Sequence, residues 1–146
     1  MPVRPPMVTP VLGPDWRDWP LTPGDWMYRR DARGSLALFG PQGRDAHFVV
    51  RCDVAKARIY LSRAGNFAVG ESGQLIIRAS TAMQSYALVN SNETPAFTAA
   101  EILTTDPQLD AMAFSRGRFI VSVKGVPDLV IPAWPELTRV IEDCRT

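Results

Sequence analysis

The stretch that most constrains this chain is its close, PAWPELTRVIEDCR, from Pro132 to Arg145. Leu137, Val140, Ile141 and Cys144 recur at i, i+3, i+4 and i+7, the spacing of one buried helix face. Pro135 stands where a first helical turn accepts proline, and Glu136 adds negative charge at the end of the helix dipole that favours it. Thr138, Arg139, Glu142 and Asp143 take the wet face. The predicted helix therefore carries a cysteine on its buried side. The only other cysteine, Cys52, ends the apolar run FVVRC. A Cys52–Cys144 disulfide would tie the helix to a β-layer, and closing a loop of about 90 residues would contribute about 4–5 kcal/mol in the chain-entropy model. The alternative is a pair of free thiols, buried as small hydrophobes in a cytosolic protein.

What the helix packs on is read from period-2 runs. Trp26 to Arg30 and Ser35 to Phe39 form a hairpin about the turn Asp31-Ala32-Arg33-Gly34. Ala46 to Cys52 follows, with Phe48, Val50 and Cys52 on one face, which points Cys52 inward. Further strands are predicted over Ala57 to Arg63, Gln74 to Ser80, Met83 to Val89, Gly117 to Lys124 and Val126 to Ile131. Pro127 places the last of these at an edge. Thr104-Thr105-Asp106-Pro107 is a helix start, with Leu109, Met112 and Ala113 on one side of a short helix. Trp26, Tyr28, Phe39, Phe48, Tyr60, Phe114, Phe119 and Trp134 are spread over these elements, which fits one core rather than a base-stacking platform. The expected fold is mainly β: a mostly antiparallel meander forming a sandwich or flattened barrel of about six to eight strands, with a short inserted helix and a C-terminal helix packed on the sheet.

Residues 1–24 hold seven of the thirteen prolines and read as a Pro-rich extended linker or tail, ahead of a single β-rich domain over 25–146. The opening MPVRPPMVTPVLGP lacks the continuous apolar core of a signal peptide. No stretch approaches the roughly 18–20 apolar residues of a membrane helix. Trp16 and Trp19, within DWRDWP, either fold back over apolar surface or contact a partner. A net charge of +1 argues against nucleic acid as a partner.

Chemistry-bearing residues are sparse. His47 is the only histidine. Asp45 shares its strand face, but no serine lies in a nucleophile elbow, so a half-exposed strand histidine is expected. Asp106 and Asp110, at i and i+4, read as a helix cap and a solvated residue rather than a metal pair. There is no CxxC, one histidine cannot complete a zinc shell, and the glycines between Gly65 and Gly73 form no phosphate loop. No metal, cofactor or enzymatic activity is expected. Arginine supplies 14 of the 16 basic residues, the others being Lys56 and Lys124. Arg116 and Arg118 flank Gly117, and Arg29 and Arg30 precede the first turn. With the two early tryptophans they give a candidate interaction rim: Trp16, Trp19, Arg29, Arg30, Arg116 and Arg118.

The stretches GDWMYRRDARGSLALFG, FVVRCD, DAMAFSRGRFIV and VIPAWPELTRVIEDCR resemble a family of exported proteins of sphingomonad-type alphaproteobacteria that carry no assigned activity. The resemblance spans Asp15 to Arg145. More remotely, the leading GDW, the strand-borne cysteine and the closing segment are similar to the invasion-associated locus B family of secreted β-proteins, although the extra cysteines expected near that family's front are missing here. Neither resemblance transfers a catalytic residue. The expectation is an exported or periplasmic, non-enzymatic, disulfide-stapled domain that binds a protein or envelope component. The alternatives are a β-barrel holding a small apolar ligand and a cytosolic domain with free thiols.

Overall fold

The computed structural model describes residues 15–67, 73–91 and 96–146. Residues 1–14 of the leader, and most of the Gly65–Gly73 loop and the Ser91–Pro95 break, lie outside them. Strands β1 (Asp25–Asp31), β2 (Gly34–Gly40), β3 (Phe48–Asp53) and β4 (Arg58–Ala64) run as the expected meander. The chain then leaves for a second sheet through β5 (Gln74–Arg78) and β6 (Met83–Ala87), and returns beside β4 through β7 (Val89–Asn90) and β8 (Phe97–Leu103). After helix α1 (Pro107–Ala113), β9 (Arg118–Val123) and β10 (Leu129–Pro132) complete the second sheet, and α2 (Pro135–Arg145) closes the chain. The sheet orders are β1-β2-β3-β4-β8-β7 and β10-β9-β5-β6, with every described pairing antiparallel. The sheets do not close on each other, so the architecture is a sandwich and not a barrel.

The alternation of side chains builds the core. Trp26, Phe39 and Phe48 are neighbours across three strands of the first sheet. Ala37, Val50, Leu61 and Ala100 form the next row, and Ser35, Cys52, Ile59 and Ile102 the one beyond. From the second sheet, Leu75, Ile77, Phe119, Val121, Leu129 and Ile131 face them and are fully or almost fully buried. Phe48 meets Phe119 edge-on across the sandwich at 6.3 Å, and the Trp26 ring packs 5.5 Å from Phe39 and 6.4 Å from Phe48. Each such side chain contributes about 1.5–3 kcal/mol by leaving water. The Trp26 indole N–H donates to the Pro132 carbonyl at 2.7 Å and so ties the start of β1 to the end of β10.

Helix α2 lies on the inner face of β1, β2 and β3, with Leu137, Val140, Ile141 and Cys144 buried as its spacing predicts. Cys144 is disulfide-bonded to Cys52, with the two Cα atoms 5.5 Å apart. Gly34 lets the β1–β2 turn close against this junction. A Cβ there would lie 2.7 Å from the Cys52 carbonyl oxygen, and the glycine's φ of +149° is one that other residues rarely adopt.

Three expectations are corrected. The segment FTAAEIL, for which no strand is predicted, is strand β8, next to β4 in the larger sheet. Its buried row, Thr98, Ala100 and Ile102, is too small and mixed to show as an apolar alternation. Pro127 belongs to the β9–β10 turn and not to the strand, although β10 is an edge. Phe114 and Trp134 leave the core: Phe114 caps α1 and is 75% exposed, and Trp134 caps α2 and is 39% exposed.

Candidate functional site

The six rim residues fall in two places. Four gather where β9 begins. The 3₁₀ turn Trp16–Asp18 packs near β9, and the Arg118 guanidinium donates to the Trp19 carbonyl. Thr22 holds the same leader segment on the outer edge of β10: its N–H donates to the Val130 carbonyl at 2.9 Å, and its hydroxyl accepts from the Val130 N–H at 2.8 Å. Trp16 and Trp19 are half-buried by this packing, with the Arg17 guanidinium 5.5 Å over the Trp16 ring.

The loop into β9 is fixed by serines. The Ser80 N–H donates to Ser115 Oγ at 3.0 Å, the Arg116 N–H donates to Ser80 Oγ at 2.7 Å, and Ser115 Oγ donates to the Arg118 carbonyl at 2.5 Å. The Ala133 N–H donates to the Gly117 carbonyl at 3.2 Å, which brings Trp134 to the same loop. Segments 16–19, 80–83, 114–118 and 133–134 therefore meet. They carry exposed Met83, Phe114, Trp134 and Arg116 on a hydrogen-bonded frame. Among the described residues, no carboxylate pairs with the Arg116 side chain. Phe114 and Trp134 are missing from the sequence-derived rim because aromatic residues near helix ends read equally well as core.

Arg29 and Arg30 lie apart from this surface on β1, pointing to opposite sides of the sheet. Arg29 borders a groove of about 230 Å³ with Asp25, Met27, Leu38 and Arg44 on the outer face. Arg30 is near Asp143 of α2. Burial raises the Asp143 carboxyl, but the Tyr28 hydroxyl that donates to it and the charges of Arg30 and Arg139 outweigh this and hold it below the usual carboxylate range.

The remaining titratable candidates hold the fold together. Asp106 accepts the Gln108 N–H at 2.8 Å as the cap of α1, and the Tyr86 hydroxyl donates to it at 3.0 Å. Burial, reinforced by Asp106, raises the Tyr86 hydroxyl well above its ordinary range. Asp110 accepts from Arg145 at 2.7 and 3.1 Å, a fork that joins α1 to α2 and keeps the carboxyl low. Glu101 meets Tyr60 and Arg58 on the outer face. His47 is half-buried just before β3, with its N–H on the Phe39 carbonyl and its carbonyl on the Ala64 N–H. Among the described residues, no group of three or more His, Cys, Asp or Glu could hold a metal ion, and no helix is long and apolar enough to cross a membrane. No protein-family model, curated protein or solved structure matches the chain.

Proposed function

We propose that this chain is an exported or periplasmic, non-enzymatic binding domain that recognises a protein or envelope component through the aromatic and arginine surface at the start of β9. The observation that carries the reading is Phe114, 75% exposed on a hydrogen-bonded loop beside Arg116. Exposed aromatics next to an unpaired guanidinium are the residue types that anchor interfaces, and a pre-ordered loop lowers the entropy lost on binding. Trp16, Trp19, Arg118 and Trp134 extend the patch. An oxidising compartment suits a chain whose two cysteines form one bridge. The resemblance to exported alphaproteobacterial proteins points the same way. Asp31, Asp53, Asp106, Asp110 and Asp143 are engaged in ion pairs, a helix cap and a tyrosine hydrogen bond, which favours binding over catalysis. A barrel for an apolar ligand has less support, because the sheets are open and their inner faces fill one core.

The test is a photo-crosslinking residue placed at Phe114, and separately at exposed Val54 on the β3–β4 turn, in the native compartment. A discrete adduct from position 114 alone, lost on Arg116→Ala or Trp134→Ala, is the expected result. Equal labelling from both positions would refute the surface assignment.

A further inference from the structure

Strand β1 is seven residues long and ends the larger sheet, with no strand beside it among the described residues. The other edges differ. The β10 edge is covered by Thr22, β7 has two residues, and β6 has no charged residue between Met83 and Ala87. An exposed strand edge is a template for pairing. The pairing pattern shows which groups β1 offers. The Val54 N–H bonds to the Arg33 carbonyl, so Arg33, Ser35, Ala37 and Phe39 turn their backbone groups toward β3. Gly34, Leu36, Leu38 and Gly40 then bond to Asp31, Arg29, Met27 and Asp25. Trp26, Tyr28 and Arg30 are left with N–H and C=O groups pointing out of the sheet.

The outer row of β1 reads Asp25, Met27, Arg29, Asp31. Asp31 is bound by Arg51. Among the described residues, neither Asp25 nor Arg29 has an ion-pair partner. They stand four residues apart on one strand, about 13 Å, too far to pair with each other. Their charges are opposite and symmetric about Met27, which is 53% exposed.

We infer that two copies of the chain join β1 to β1, antiparallel, about a two-fold axis at Met27. In that register Trp26 and Tyr28 of one copy exchange backbone hydrogen bonds with Tyr28 and Trp26 of the other. Asp25 of each copy faces Arg29 of the other, and the two Met27 side chains meet. Same-face pairing allows slips only in steps of two residues. One slip sets Asp25 against Asp31, a like-charge pair, and the other sets Asp25 against Met27 and Arg29 against Pro23, so the charges select one register. Helix α2 packs on the inner face of β1, β2 and β3, and among the described residues no hydrogen bond takes up the outward-pointing backbone groups of Trp26, Tyr28 and Arg30. A single strand edge is a small interface, so the dimer is reversible and depends on concentration.

The test is sedimentation equilibrium of the full chain over a range of concentrations. The wild type should populate a dimer. Asp25→Arg or Arg29→Asp alone should weaken it at least about tenfold, and the two together should restore it, because the exchanged charges again face their opposites across the axis. Both residues are exposed, so melting curves should stay unchanged at concentrations where the wild type is monomeric, and the wild-type midpoint, unlike those of the single variants, should rise as the dimer fills. A second readout is Met27→Cys. Facing residues that do not share hydrogen bonds bring their Cα atoms to about 4.5 Å, within disulfide reach, so this variant should cross-link to a dimer under oxidation while Met83→Cys on the β6 edge does not. A monomer at every concentration, a double variant no tighter than the singles, or equal cross-linking at position 83 would overturn the inference.

Discussion

At the scale of single residues, Asp31 shows how a surface pair becomes a pH response. Arg51 donates to its two carboxylate oxygens at 3.0 and 2.5 Å and holds its pKa at about 2, against an ordinary 3.8. The unfolded chain takes up this proton first as pH falls. The pair's contribution is therefore complete above about pH 4 and lost as pH drops toward 2. Arg51→Ala should flatten that part of the acid limb in denaturant melts and leave the neutral region little changed in shape. Ala57 is the one non-glycine among the described residues with a positive φ, +51°. Ala57→Gly should raise stability by about 0.5–1 kcal/mol, read as a higher denaturation midpoint, because the left-handed conformation crowds its Cβ. Cys52 could be oriented from the sequence because its strand keeps strict alternation. The exposure of Phe114 could not, since it depends on a tertiary bond between Ser80 and Ser115, 35 residues apart.

Among the elements, α2 was the most legible. Its buried stripe, its proline at the first turn and its cysteine are all local signals. Strand β8 was the least legible, because Ala99, Ala100 and Glu101 favour helix locally and become strand only through pairing with β4. The sandwich is clipped at one end by Arg63, which is buried beside Thr98 of β8. Its guanidinium donates to the Ala64 carbonyl at 2.7 Å and, across to the β9–β10 turn, to the Pro127 carbonyl at 2.8 Å. Burial lowers its pKa, with Asp128 opposing the shift. Arg63→Met keeps the apolar stem and removes the donors. It should cost about 1–3 kcal/mol in equilibrium unfolding, since two carbonyls lose their partners. A loss near zero would mean that water replaces the clip.

For the whole molecule, two unclosed sheets are held together by a shared core and by a helix bonded covalently to one of them. The sequence showed the strands' alternation but not which sheet each strand joins. Both sheets use the same period, and the residues between β4 and β5 carry no distinguishing chemistry in the sequence. The disulfide spans 92 residues and secures the last element to the third strand. The paired Cys52→Ala and Cys144→Ala variant should lose about 2–5 kcal/mol and lose amide protection first in α2. The most direct measurement is a thiol titration of the unreduced, unfolded chain taken from its native compartment, with peptide mapping under non-reducing conditions. The expected result is no titratable thiol and a linked peptide pair containing Cys52 and Cys144 of the same chain. Two titratable thiols per chain would contradict it.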